Sequence, residues 1–147
     1  KPYSHHHKSE TNLYKNIDYR QYYKLADELK ALSSESFDVI FRLHTMKKLA
    51  DTDRGYCRCL AIPFWSYVDA GGGLWACSAY LGDERFYLGN IMEKGFEEVW
   101  KSGKRKEAMR FINEELDVAG CRQNCRMDEI NRYLWNLKNP PGHVNFI

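Results

Sequence analysis

Two β-prone runs, Ile62 to Val68 and Leu74 to Leu81, flank the segment Asp69-Ala70-Gly71-Gly72-Gly73 and constrain this chain more than any other feature. Glycines supply the positive φ that a tight reversal needs, so the arrangement predicts a β-hairpin. Cys59 stands just before the first run and Cys77 within the second. Closing the hairpin therefore brings two thiols near each other. Glycine also lets backbone approach a bulky inorganic group with no Cβ in the way, and we expect that role for the glycine-rich turn.

The remaining cysteines extend the pattern. The chain has five: Cys57-Arg-Cys59, Cys77, and Cys121-Arg-Gln-Asn-Cys125. An odd number at these spacings is not the framework of a small disulfide-bonded secreted domain. Two close pairs and a single cysteine, far apart in sequence, is how metal ligands are distributed. We expect a cytoplasmic location, where thiolates bind metals instead of oxidising. Cys121 and Cys125 fall between the end of one predicted helix and the start of the next, on a turn where their sulfurs can converge. The N–H groups at the start of the second helix favour an anionic, thiolate-ligated centre. Four thiolates, Cys59, Cys77, Cys121 and Cys125, suit one 4Fe–4S cluster. A structural zinc site or plain burial of free thiols are the alternatives, although zinc sites usually use Cys-x2-Cys knuckles. Cys57 is read as a spare thiol or an alternative ligand to Cys59.

Composition narrows the function. Charged residues make up 29% of 147 and the formal net charge is +2, which is not a nucleic-acid-binding balance. The basic run Lys101 to Arg110 is interleaved with Glu97, Glu98 and Glu107 and reads as a charged helix face. No stretch approaches the ~20 apolar residues that span a bilayer, so we expect no membrane partner. Ten Tyr and four Trp imply walls around a cleft as well as a core. Trp65, Tyr67 and Trp75 on the hairpin are expected to shield the metal from water.

The predicted fold class is α+β, the end of a partial, TIM-like α/β barrel followed by a β-hairpin and helices. The boundary falls near residue 55, giving 1–54 and 55–147. In the first part, Tyr19 to Leu32 has helical periodicity with Asp18 or Asn16 as cap, Phe37 to Leu43 reads as a buried strand, and Thr45 to Leu49 as a short helix. Lys1-Pro2-Tyr3 is read as the tail of an earlier strand in a piece cut from a longer polypeptide. In the second, Phe96 to Lys101 is a short helix. Ser102 caps a longer one over Lys104 to Leu116 with Ala108, Phe111, Ile112 and Leu116 inward, and Gly120 marks its end. A last helix, Asp128 to Lys138, is expected to pack Ile130, Tyr133, Leu134 and Leu137, stopped by Pro140-Pro141-Gly142 before the tail His143 to Ile147.

These residues carry a family resemblance. The run CLAIPFWSYVDAGGGLWAC, then YLGNIMEKGFEEVWKSGKR, then CRQNCRMDEINRYLWNLK resembles a SPASM or twitch domain, the cluster-bearing C-terminal extension of radical-SAM enzymes. Cys59, Gly72 and Cys77 fit the family's spacing of cysteine, glycine and second cysteine. Gly89-Asn90 ahead of Phe96 to Trp100 fits its glycine–asparagine step before a Phe-x-x-x-Trp helix. The resemblance covers about residues 55 to 138. Only Cys121 and Cys125 follow the hairpin, which favours the one-cluster twitch form over a full SPASM domain. Cys-x3-Cys-x2-Cys, which holds the S-adenosylmethionine-cleaving cluster, is absent, and Asp128 stands where a third cysteine after Cys125 would fall.

The resemblance implies a radical-SAM oxidoreductase or modifying enzyme acting on a peptide, sugar or similar small molecule. In it, this region supplies an auxiliary 4Fe–4S cluster for electron transfer and substrate positioning. S-adenosylmethionine and a second 4Fe–4S cluster belong to the full-length enzyme, with a reductant such as flavodoxin or ferredoxin, and the fragment alone is expected to be inactive. Barrel chemistry gathers at strand C-terminal ends, so Ser4, His5, His6 and His7, with Arg42 and His44, are the candidates for binding S-adenosylmethionine or substrate. The rival reading is a zinc-stabilised peptide-binding module, with a degenerate scaffold as a third.

Overall fold

The structure, a computed structural model, describes residues 17–51, 53–122, 125–140 and 142. Lys1-Pro2-Tyr3, Ser4, the three histidines, Asn16 and the tail from His143 lie outside these residues.

A small antiparallel sheet forms the middle of the second part, with β1 Tyr67–Val68, β2 Gly73–Trp75 and β3 Tyr87–Asn90 in that spatial order. Tyr67 pairs with Trp75 and Val68 with Leu74, while Leu74 faces Gly89 and Trp75 faces Tyr87 across a register shift. The hairpin is there, but its strands are shorter than the β-prone runs. Pro63 opens a 3-10 turn over Ile62–Phe64, consistent with proline's fixed φ and missing donor. Cys77 caps a second such turn, Ser78–Tyr80. β3 falls where the sequence alone shows only the Gly89-Asn90 step. Pairing with β2 outweighs the weak local preference of Leu88-Gly89-Asn90 for strand.

Asp69 organises the reversal. Its carboxylate accepts the N–H of Gly71 at 2.8 Å, of Gly73 at 2.9 Å and the Trp75 indole at 2.7 Å. Those bonds, led by the indole, hold its pKa below the ordinary carboxylate value. Gly72 sits at φ +79°, and a Cβ there would lie 2.5 Å from Met92 Cγ and 2.8 Å from Asn90 Oδ1. Gly72 is thus needed for close approach to the start of the next helix.

Helices cover one side of the sheet. α3 Ile91–Lys94 is capped by Asn90, α4 runs over Phe96–Lys101, and α5 over Gly103–Glu114. Ser102 Oγ accepts the Arg105 N–H at 3.1 Å, the cap expected from sequence. Ala108, Ile112 and Leu116 are buried against Leu74, Ala76, Phe86, Leu88 and Val99, with Phe111 at their edge. Burial of each larger aliphatic or aromatic side chain here is worth roughly 1.5–3 kcal/mol.

α6, Asp128–Lys138, has the expected bounds and an unexpected inner face. Its buried residues are Asp128 and Asn131, while Ile130, Tyr133 and Leu137 are exposed. Polar groups take the inner positions because each finds partners there, described below.

In the first part, the helix expected over Tyr19 to Leu32 divides into a 3-10 turn, Tyr19–Tyr22, and α1, Leu25–Lys30, with Asp18 capping the turn. α2 runs over Leu43–Ala50. The strand expected over Phe37 to Leu43 is not formed. Ser34 and Phe37 make an isolated bridge, and Ile40 is 78% exposed. A strand needs a neighbour for its backbone groups, and among the described residues none lies beside this run.

Candidate metal centre

All five cysteines are free thiols; Cys57 is exposed and the other four are half-buried. Cys59 follows a turn after Gly55, Cys77 ends the stretch after β2, and Cys121 and Cys125 lie on the loop between Val118–Gly120 and α6. Cys59, Cys77 and Cys121 pack against the core. Burial pushes the Cys59 thiol up, the Asn131 amide opposes this, and the Cys125 and Cys121 sulfurs add to the rise. Burial pushes Cys77 up to about 12, partly opposed by the Ala79 N–H, with Cys125, Cys59 and Cys121 adding again. Cys59 and Cys77 thus each feel the sulfurs of Cys121 and Cys125, and Cys57 contributes to neither environment.

Among the described residues, no three His, Cys, Asp or Glu side chains converge tightly enough to hold a metal ion. A tetrahedral zinc with bonds of ~2.3 Å places neighbouring sulfurs about 3.8 Å apart. A metal–sulfide cage keeps its thiolates further apart than a single ion does. The donor set, four soft thiols on a half-buried face, fits such a cage.

Three of the sulfurs already meet a hydrogen-bonding group. The Ala79 N–H donates to Cys77 Sγ at 3.4 Å, and Asn131 Nδ2 donates to Cys59 Sγ at 3.5 Å. The Tyr80 hydroxyl lies 3.1 Å from Cys121 Sγ. Asn131 and Tyr80 were not singled out from sequence. Asn131 is separated by 72 residues from Cys59, and Tyr80 by 41 from Cys121, so no local spacing points to either.

The loop bearing Cys121 and Cys125 is tied down at both ends. Arg54 donates to the Cys121 carbonyl, and the Asp128 N–H donates to the Cys125 carbonyl at 3.3 Å. Tyr56 donates to Asp128 Oδ1 at 2.9 Å, while Arg132 Nε and Lys48 Nζ reach Oδ2 at 3.1 and 3.0 Å. Burial alone would raise the Asp128 pKa; hydrogen bonds from Lys48, Arg132 and Tyr56 prevail and hold it below the ordinary value. Asp128 itself sits at the positive start of α6, so the helix dipole offered to the thiols is partly taken by this carboxylate.

A half-open cleft of about 360 Å³ lies beside this ion network, between α2 and the start of α6. His44, Lys47, Lys48 and Arg54 line it, and His44 Nε2 lies 3.4 Å from Glu129 Oε1. Arg42, exposed at the N-cap of α2, is not among its walls. On the hairpin, Trp75 is buried, Trp65 half-buried and Tyr67 exposed.

The SPASM family model, described as an iron–sulfur cluster-binding domain, matches residues 57–126, a span holding all five cysteines. No curated protein and no solved structure matches the chain. Among the described residues, no helix is long and apolar enough to cross a membrane. The match over residues 57–126 is consistent with the SPASM or twitch domain that the sequence resembles.

Proposed function

We propose that Cys59, Cys77, Cys121 and Cys125 hold one 4Fe–4S cluster, auxiliary to the chemistry of a radical-SAM oxidoreductase or modifying enzyme. The observation that carries this reading is the gathering of four thiols from three separated segments within the SPASM match. The cysteine spacing, which lacks Cys-x2-Cys knuckles, favours a cage over the zinc-stabilised module. When bound, such a cluster supplies one-electron transfer.

The protein's own groups prepare the place. Burial raises the Cys59 and Cys77 thiols, so each of these two releases a proton on becoming a ligand. Four cysteine ligands leave no open iron position for substrate, which favours electron transfer over substrate ligation. The core residues behind Cys59, Cys77 and Cys121 limit water, and the Arg54 and Asp128 bonds fix the loop that presents Cys121 and Cys125. His44, on the cleft lined by both basic and acidic residues, and Arg42 at the head of α2 are the described groups proposed to face S-adenosylmethionine or a polar part of a peptide, sugar or similar substrate; Ser4 and His5 share that proposed role. The remaining barrel, the S-adenosylmethionine-cleaving cluster and docking of a flavodoxin- or ferredoxin-type reductant belong to the same proposal, with the cytoplasm as its setting.

Anaerobic reconstitution of this chain with iron and sulfide tests the cluster. The expected product is brown, with about four irons and four sulfides per chain. Colourless protein carrying stoichiometric zinc would overturn the reading. Detection of Cys-x3-Cys-x2-Cys upstream in the encoding gene tests the radical-SAM assignment, and a full-length protein lacking it would remove that assignment.

A further inference from the structure

Two side chains each touch a different cysteine sulfur. Asn131 is only 1% exposed. Its Oδ1 accepts the Ala61 N–H at 2.9 Å, which fixes the amide's orientation and turns Nδ2 toward Cys59 Sγ at 3.5 Å. Tyr80 stacks on Phe86, with ring centroids 4.1 Å apart and planes within 6°. Phe86 is itself buried and meets Phe111 edge-on at 5.8 Å. That stack holds the Tyr80 hydroxyl 3.1 Å from Cys121 Sγ.

In the thiol form either atom of the Tyr80–Cys121 pair can donate. An iron-bound thiolate carries no proton, so with metal present the phenol must be the donor. Donation to a ligand sulfur draws electron density from it and stabilises the more negative, reduced cluster more than the oxidised one. Burial acts in the opposite sense, because a low-dielectric surrounding favours the less charged form. A buried amide and a clamped phenol, each on a different ligand, are placed to offset that effect.

We infer that Asn131 and Tyr80 are positioning residues that raise the reduction potential of the cluster held by Cys59, Cys77, Cys121 and Cys125. The inference rests on the proposed function, and the reaction concerned is reversible uptake of one electron from a low-potential reductant. The backbone donor on Cys77 belongs to the fold and is common to every variant.

The test is an anaerobic, mediated redox titration of the reconstituted chain, following visible absorption and the spin signal of the reduced cluster. Tyr80→Phe removes one hydroxyl and keeps the ring stack; Asn131→Leu removes the amide. Each variant is expected to hold as much iron as the parent and to become harder to reduce. At the parent's midpoint, the ratio of oxidised to reduced cluster should rise about tenfold, equal to ~59 mV for a one-electron couple. Should Asn131→Leu fail to fold, Tyr80→Phe decides alone. Full iron content with midpoints unchanged from the parent would overturn the inference while leaving the proposed function standing. A parent chain that takes up no iron would overturn both.

Discussion

Tyr56 and Asp128, separated by 72 residues, share a buried hydrogen bond of 2.9 Å, and through it the strand-side approach to Cys59 is joined to the helix that follows Cys125. Lys48 and Arg132 complete the arrangement on the other carboxylate oxygen. The carboxylate is thus the point where α2, the segment before Cys59 and α6 meet.

Replacing Asp128 by Asn leaves Arg132 facing a neutral group and Lys48 with Glu129, at 2.7 Å, as its remaining carboxylate. Lys48 is largely buried and Arg132 half-exposed, so the loss should fall at or below the low end of the range for broken buried pairs, about 2–3 kcal/mol. Tyr56→Phe keeps both cations and should lose about 1 kcal/mol. Urea unfolding of the metal-free chain measures both. Because Asp128 has a lowered pKa, its contribution is present above the unfolded carboxylate value and is lost as pH falls through the folded one. Equal losses for the two variants would contradict the hub.

The four clustered cysteines and Cys57 should separate cleanly by iron content. Ala at 59, 77, 121 or 125 is expected to abolish most of the iron retained after reconstitution and desalting. Cys57→Ala should leave iron and visible absorption unchanged, because that thiol is exposed. An iron loss in Cys57→Ala comparable with Cys59→Ala would move the ligand assignment.

Alkali should destabilise the metal-free chain. The folded pKa of Cys77 is about 12 against an ordinary value of 9.0, and Cys59 is raised too. Between those values the folded state binds more protons than the unfolded one, so stability falls as pH rises. The contribution is fully present below pH 9 and lost on the way to 12, a change on the order of 2–4 kcal/mol for Cys77. Tyr56 and Tyr80, also raised by burial, act in the same direction above pH 10. Thermal midpoints of the reduced, metal-free protein should drop between pH 8 and pH 10.5, with a shallower slope in Cys77→Ala. A slope unaltered by that change would refute the assignment.

What could be foreseen from sequence follows the reach of each determinant. α4 has the expected bounds because Phe96, Val99, Trp100 and Ser102 encode it within one and a half turns. The cysteines were recognisable as a group because their chemistry is explicit whatever their contacts. β3 was hidden, since Gly89 and Asn90 gain their strand geometry from β2, and the apolar run at Phe37 has no strand partner among the described residues. The inner face of α6 was misread for a related reason. Asp128 and Asn131 are buried by partners at Tyr56 and Ala61, and helical periodicity reports only apolar faces.

Gly72 links the turn to the helices, and Gly72→Ala should expose that link. A Cβ at φ +79° is strained for any L-residue and would meet two atoms. Met92 is 80% exposed, so its side chain can swing away. Asn90 is less free: its Oδ1 accepts the Met92 N–H at 2.8 Å and its Nδ2 donates to the Gly71 carbonyl at 2.9 Å. The left-handed conformation costs about 1–2 kcal/mol without glycine, and a displaced cap adds about 1 kcal/mol. A total near 2–3 kcal/mol in urea unfolding is expected, with Met92→Ala in the same background recovering only a small part. Full recovery would show that the clash lies with the methionine and that Asn90 does not hold the turn.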